Sequence, residues 1–168
     1  MKIQNFLPPI LEKDLYDNLT NSHFPWYWND VVNYEDRKEN LFQFTHHFIK
    51  NGKINSDYIN LAMPIIYLFE KEMNINIKYI DRLKANLTTK TMVSENDIKE
   101  LYHKDMDSSD YISFIYYVND SDGDTIIENK FFTPERNSLI YFKSNIFHAG
   151  MFPQINKRRI IINAILQI

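Results

Sequence analysis

The feature that most constrains this chain is the crowding of short strand-like runs after Ile77. Alternating or β-branched segments recur at Lys78 to Thr88, Glu100 to Lys104, Tyr111 to Val118, Thr125 to Ile127, Ser138 to Phe142, Phe147 to Gly150 and Arg158 to Gln167. Turn clusters separate them, such as Asn119-Asp120-Ser121-Asp122-Gly123 and Pro134-Glu135-Arg136-Asn137. Parallel neighbours need crossovers of a dozen or more residues, and these intervals leave little room for them. The expectation is an antiparallel sandwich or barrel.

The N-terminal part reads differently. Ile10, Leu11, Leu15 and Leu19 recur at helical spacing behind Pro8-Pro9, a pair suited to opening a helix. Phe24-Pro25-Trp26-Tyr27-Trp28 reads as an aromatic turn, and Phe42, Phe44, His46 and Phe48 alternate as in a half-buried strand. Asp57 to Met73 is again apolar at helical spacing, with Pro64 either kinking that helix or starting a second one. With no repeat or linker in 168 residues, the expectation is a single domain. Residues 1–77 would form a helical buttress with the first strands, and residues 78–168 the β core.

Composition narrows the chemistry. There is no Cys, so thiolate zinc sites, iron–sulfur clusters and cysteine nucleophiles are excluded, and any metal must be held by His and carboxylates. The net charge of −3 provides no general attraction to phosphate backbones, which argues against a nucleic-acid partner. No apolar run is long enough to span a bilayer, and Met1 to Pro9 lacks the pattern of a signal peptide, so a cytoplasmic protein is expected.

His103-Lys104-Asp105 offers an imidazole and a carboxylate two residues apart, and in extended chain these project to one face. His148, 45 residues on, offers a third ligand. Two His and one carboxylate on one face of a metal leave the opposite positions open, the arrangement of non-haem Fe(II) oxygenases. The tripeptide alone is weak, since five His and 22 acidic residues in this length give roughly 0.65 chance occurrences. Its weight comes from Arg158 and Arg159, at the start of the last strand. An arginine entering an apolar barrel needs an anionic partner, and a dicarboxylate would supply one.

Other groups have simpler explanations. Adjacent residues His46 and His47 face opposite ways on a strand, which suits packing and surface roles. The Phe24 to Trp28 cluster suits buried packing better than a substrate lip. Asp105, Asp107 and Asp110 lack the spacing of an EF-hand calcium loop, and Asp120, Asp122 and Asp124 read as an acidic turn.

From about Lys84 to Ile168 the chain resembles the Fe(II)- and 2-oxoglutarate-dependent dioxygenases, especially small members of prolyl-4-hydroxylase type common in phages. The matching pieces are Lys84-Ala85-Asn86-Leu87, His103-Lys104-Asp105, Tyr116-Tyr117-Val118-Asn119 with Gly123-Asp124-Thr125, Asn137 to Phe142, Phe147-His148-Ala149-Gly150 and Arg159-Ile160-Ile161-Ile162-Asn163. The resemblance implies a mainly β fold, a double-stranded β-helix or cupin-like jelly roll with N-terminal helices packed on one sheet. It implies Fe(II) held by His103, Asp105 and His148, with 2-oxoglutarate and O2 as cosubstrates. It further implies Arg159 as anchor for the distal carboxylate, because the family often writes Arg, three apolar residues and Asn. A bulge or one-residue shift would give that role to Arg158 instead. Tyr141 and Asn86 occupy strands that usually line the cosubstrate pocket, and Asn163 closes the anchor motif.

The implied reaction hydroxylates a protein residue, peptide or small molecule and releases succinate and CO2. Two other functions compete. An oxidative nucleic-acid demethylase of the same superfamily usually carries a second Arg six residues after the anchor, whereas Ile165 stands here. A non-catalytic barrel binding a metal or a partner is the other. Neither the prime substrate nor the oligomeric state is legible.

Overall fold

The computed structural model describes residues 2–30, 41–93 and 101–168. All strand pairings within these residues are antiparallel. The elements are β1 (Lys2–Gln4), α1 (Pro9–Thr20), β2 (Tyr27–Asn29), β3 (Gln43–Lys50), β4 (Lys53–Ile54), α2 (Ile59–Met73), β5 (Tyr79–Thr89), β6 (Tyr111–Tyr117), β7 (Thr125–Ile127), β8 (Lys130–Phe132), β9 (Ser138–Lys143), β10 (His148–Gly150) and β11 (Arg158–Gln167). A large sheet runs in the order β1-β9-β6-β11-β5-β3-β2, with β4 also on β3, and faces a small sheet ordered β10-β7-β8. This is the two-sheet jelly-roll arrangement. No helix among the described residues is long and apolar enough to cross a membrane.

The long central strand β11 carries apolar residues on both faces because both are covered. Ile160, Ile162, Ala164 and Leu166 join Leu83, Ala85, Phe114, Tyr116 and Leu139 in a core closed from outside by Leu15 and Leu19 of α1 and by Ala62, Ile65, Ile66 and Phe69 of α2. Ile161 joins Ile115, Tyr117, Ile140 and Phe142 on the other face, where Ile127 of the small sheet meets them. Period-two alternation therefore assigns every second residue of β5, β6, β9 and β11 to the helix layer and the rest to the space between the sheets.

The helices form where expected, with differences of detail. Pro9 occupies the first turn of α1, where its missing N–H leaves nothing unsatisfied, but Ile10 and Leu11 are exposed and only Leu15 and Leu19 are buried. Pro64 lies inside α2 without dividing it, so one helix runs from Ile59 to Met73 and ends on Asn74 in the left-handed conformation.

Several strands differ from the sequence reading. Tyr27 to Asn29 is a strand on β3 where an aromatic turn was expected. Residues Lys50 to Lys53 form a two-residue hairpin on Asn51 and Gly52, both at positive φ, matching a type I′ turn. A second tight hairpin joins β7 to β8 through Glu128 and Asn129, also at positive φ. Glu is a poor residue for that conformation, which hid β8 in the sequence. Finally, the expected strand from Glu100 to Lys104 is not one: Glu100 lies outside the described residues, and beyond it only His103 pairs, in an isolated bridge with His148.

Candidate metal centre and cosubstrate pocket

That single bridge explains how the first two ligands reach the site. His103 and His148 exchange backbone hydrogen bonds, each 2.9 Å, extending the small sheet by one residue. The chain then curls around Ser144, whose carbonyl accepts from the N–H groups of both Asp105 and Met106. A local wrap, rather than a regular pleat, carries the Asp105 carboxylate to the same side as the imidazole.

The ligand atoms of His103, Asp105 and His148 lie within 4.8 Å of one another. Each histidine is oriented by its own chain. Nδ1 of His103 is 2.9 Å from the Leu101 carbonyl and Nδ1 of His148 is 3.1 Å from the Ile146 carbonyl. A carbonyl only accepts, so both Nδ1 atoms carry the proton and both Nε2 lone pairs are free to bind a metal. Nε2 of His148 lies 3.7 Å from Asp105 Oδ2, and Nε2 of His103 lies 3.9 Å from Oδ1. Burial lowers the pKa of His148 to about 4 against the upward pull of Asp105, so the ring is neutral at pH 7.

Asp105 is itself positioned from two sides. Arg82 Nη2 donates to Oδ1 at 2.6 Å, and the Ser113 hydroxyl donates to Oδ2 at 2.6 Å while lying 2.8 Å from the Ser144 hydroxyl. Burial pushes the Asp105 carboxyl up, but Arg82, followed by His148 and the Ser113 hydrogen bond, outweighs it and holds the group well below the usual carboxylate range. Two imidazoles presenting Nε2 and one ionised carboxylate are a donor set that fits a divalent cation.

The three ligands border a cavity of about 690 Å³ whose floor is the inner face of β5 and β11: Arg82, Lys84, Asn86 and Thr88 on one strand, Arg159, Ile161 and Asn163 on the other. Arg159 is 4% exposed. Its Nη2 donates to the Thr125 hydroxyl at 2.8 Å, its guanidinium stands 5.9 Å over the Tyr117 ring, and its Nε has no partner. Burial raises the Tyr117 phenol to about 12, and its hydroxyl donates to Thr125, so it supplies no counter-charge. Among the described residues no carboxylate hydrogen-bonds Arg159. Gly123 and Gly150 make room for it: a Cβ on Gly123 would meet Arg159 Cδ at 2.9 Å and the Met151 carbonyl at 2.6 Å. The buried side-chain atoms Asn86 Oδ1 and Thr88 Oγ1 are unpartnered on the same floor. A cationic, water-poor recess whose Arg159 Nε–H and Thr88 hydroxyl lack partners fits the carboxylate of a dicarboxylate cosubstrate.

The remaining expected residues divide. Arg158 is half-buried at the start of β11, on the helix-side alternation, and its carbonyl accepts from Asn119. Asn86 lines the cavity and donates to Gln43 at 3.0 Å. The Asn163 amide, with its oxygen toward β5, accepts from Arg82 at 3.0 Å and donates to the Lys84 carbonyl at 3.3 Å. Tyr141 does not line the cavity: it alternates with Ile140 and Phe142, so its ring faces α2 and packs edge-on against Phe69 at 5.6 Å. His46 is buried between the Pro25 carbonyl and the Ser56 hydroxyl, and neither it nor His47 borders the cavity. The aromatic cluster splits, Phe24 being buried and Tyr27 and Trp28 exposed. Asp122 binds the backbone N–H groups of Gln154, Ile155 and Asn156, tying two loops together.

Sequence reasoning missed Arg82, Lys84, Thr88, Ser113 and Thr125. Counting back from Asn86 in steps of two along β5 would have placed 82 and 84 on the same face.

No family model matches the chain, and no curated protein matches its sequence. Solved structures do match. A prolyl-4-hydroxylase from Pseudomonas putida superposes with a TM-score of 0.63 at 13% identity, covering 99% of this chain and 91% of that one. An oxidoreductase of the 2OG-Fe(II) oxygenase family from Burkholderia pseudomallei gives 0.65 at 13% identity, covering 94% and 78%. A prolyl hydroxylase from Trichoplax adhaerens, solved with a peptide fragment of the hypoxia inducible factor oxygen degradation domain, gives 0.68 at 15% identity, covering 99% and 82%. The chain thus has the jelly-roll fold of the 2-oxoglutarate, Fe(II) oxygenases, with a His, an Asp and a second His gathered between its two sheets.

Proposed function

We propose that this chain is an Fe(II)- and 2-oxoglutarate-dependent dioxygenase that hydroxylates a C–H bond of a protein residue, peptide or small molecule. The observation that carries this reading is the pairing of two sites in one cavity: a triad of two imidazoles and a carboxylate at one end, and at the other a buried arginine to which no carboxylate of the described residues hydrogen-bonds. His103, Asp105 and His148 would hold the cation, and Arg159 with the Thr88 hydroxyl would hold the distal carboxylate. Bound Fe(II) supplies O2 activation coupled to decarboxylation of 2-oxoglutarate, so that one oxygen atom enters succinate and the other the hydroxylated product, with release of CO2.

The chain's own contribution is positional. The Leu101 and Ile146 carbonyls fix the two imidazoles, Arg82 and Ser113 fix the carboxylate, and the apolar inner face around Ile115 and Ile161 keeps water from the recess. The test is anaerobic Fe(II) titration followed by succinate formation from 2-oxoglutarate in air. Wild type should bind one Fe(II) and release succinate, while His103→Ala and Asp105→Ala should lose both properties. Undiminished turnover in both variants would overturn the assignment.

A further inference from the structure

Lys84 stands on the cavity floor beside the triad, and the reading proposed above gives it no task. Its side chain lines the cavity and is half-buried, yet it has no hydrogen-bond or ion-pair partner among the described residues. The groups nearest in register are Asn163 on β11 and His47 on β3, and neither is acidic. The acidic group whose field reaches it is Asp105, which Arg82 already engages at 2.6 Å. Burial, reinforced by Arg82, pulls the Lys84 ammonium down to about 7.

Charge accounting points the same way. With a divalent cation and a doubly charged cosubstrate in place, those two cancel, and Asp105 cancels Arg82. Arg159 and Lys84 then leave the cavity with an excess of positive charge. A half-buried ammonium on a cavity floor with no acidic partner is open to a ligand of opposite charge that enters the cavity.

Position separates Lys84 from the cosubstrate anchor. Along the inner face of β5, Lys84 lies one strand repeat, about 7 Å, from Arg82, which grips the metal-ligand carboxylate. It lies two repeats, about 13 Å, from Thr88, which pairs with Arg159. Lys84 therefore belongs to the triad end of the cavity. A volume of about 690 Å³ leaves space for a second molecule beside a five-carbon dicarboxylate.

We infer that Lys84 is the receptor for a carboxylate on the prime substrate, so that the substrate is a small carboxylic acid, such as a free amino acid, rather than an internal residue of a polypeptide. This rests on the proposed oxygenase reading for the identity of the reaction, but carboxylate binding at Lys84 is measurable without it. A molecule held there by its carboxylate presents its carbon skeleton toward His103 and His148.

The experiment uses full-length protein loaded with Zn(II) and N-oxalylglycine, and the metal-free protein in parallel, with acetate as probe and acetamide as its neutral counterpart. Binding is followed through the lysine side-chain NMR signals. Acetate should shift the Lys84 resonance saturably, acetamide should not, and Lys84→Met should weaken acetate binding at least about tenfold, equivalent to about 1.4 kcal/mol. Lys84→Arg, which keeps the charge, should retain the acetate site. The affinity of Lys84→Met for N-oxalylglycine should stay within about twofold of wild type. Acetate affinity unchanged by Lys84→Met, or N-oxalylglycine affinity falling in step with it, would overturn the inference, the second outcome assigning Lys84 to the cosubstrate. If wild type binds no N-oxalylglycine while acetate binding still depends on Lys84, the oxygenase reading fails and the carboxylate receptor stands.

Discussion

Replacing Arg159 with Met should move stability and ligand binding in opposite directions. In the protein without cosubstrate, the guanidinium is buried with one charge-assisted hydrogen bond to Thr125 and a distant ring contact with Tyr117. The field of Asp124 reaches it, but no carboxylate among the described residues hydrogen-bonds it, and a buried charge left without such a partner costs about 3–5 kcal/mol. The hydrogen bond returns about 1.5–3 kcal/mol and the ring contact, near the limit of its range, about 0.5–1 kcal/mol. The balance leaves Arg159 destabilising by about 1 kcal/mol, so Arg159→Met, which keeps most of the side-chain volume, should raise Tm by about 2–4 °C in metal-free protein. With Zn(II) bound, the same substitution removes one partner of a desolvated carboxylate pair and should weaken N-oxalylglycine by roughly 10²- to 10³-fold. Arg158→Met should do neither. Differential scanning calorimetry and isothermal titration calorimetry read the two effects. A fall in Tm would refute the unpaired charge, and binding retained within about threefold would refute the anchor.

Three further expectations follow from particular contacts. Gly123→Ala should weaken N-oxalylglycine without touching the metal ligands, because the new Cβ would collide with Arg159 Cδ and the Met151 carbonyl; unaltered calorimetric affinity would show that the loop yields freely. His47 has its pKa lowered to about 4 by burial, with Lys84, Lys50 and Arg82 adding to the effect. The unfolded chain therefore binds more protons than the folded one between about pH 6.5 and 4, and stability should fall as pH drops through that window. His47→Gln should flatten the fall, as read from urea midpoints of metal-free protein at pH 7.5 and 5, and an equal pH dependence in both proteins would exclude His47 as its source. Phe69 is fully buried against Phe114 at 5.1 Å and Tyr141 at 5.6 Å, so Phe69→Ala should cost about 3–5 kcal/mol in urea unfolding. A loss below about 1 kcal/mol would mean that α2 collapses onto the sheet to fill the space.

Local sequence determined what depends on neighbours along the chain. The crowding of strands excluded parallel crossovers, the helical spacing at Leu15, Leu19 and Ile59 to Met73 drew the outer layer, and His103, Asp105 and His148 were legible as a set because their residue types suit one cation. Alternation along β11 also sends Arg158 and Arg159 to different faces, since a pleated strand does so whatever surrounds it.

Tertiary structure decided everything that depends on which layer covers a face and which distant residue stands opposite. Leu139, Ile140, Tyr141 and Phe142 all suit a buried strand, so the local pattern could not say that Tyr141 turns toward α2. The irregularity between His47 and Ile49 on β3, and that between Ile165 and Leu166 on β11, shift register in ways periodicity does not announce. Arg82 and Asp105 are 23 residues apart and meet only because β5 lies beneath the wrap at Ser144. The unpaired ammonium of Lys84 has the same origin: sequence places a lysine on a strand, but only the packing of two sheets sets it on the floor of a cavity and makes its missing partner matter.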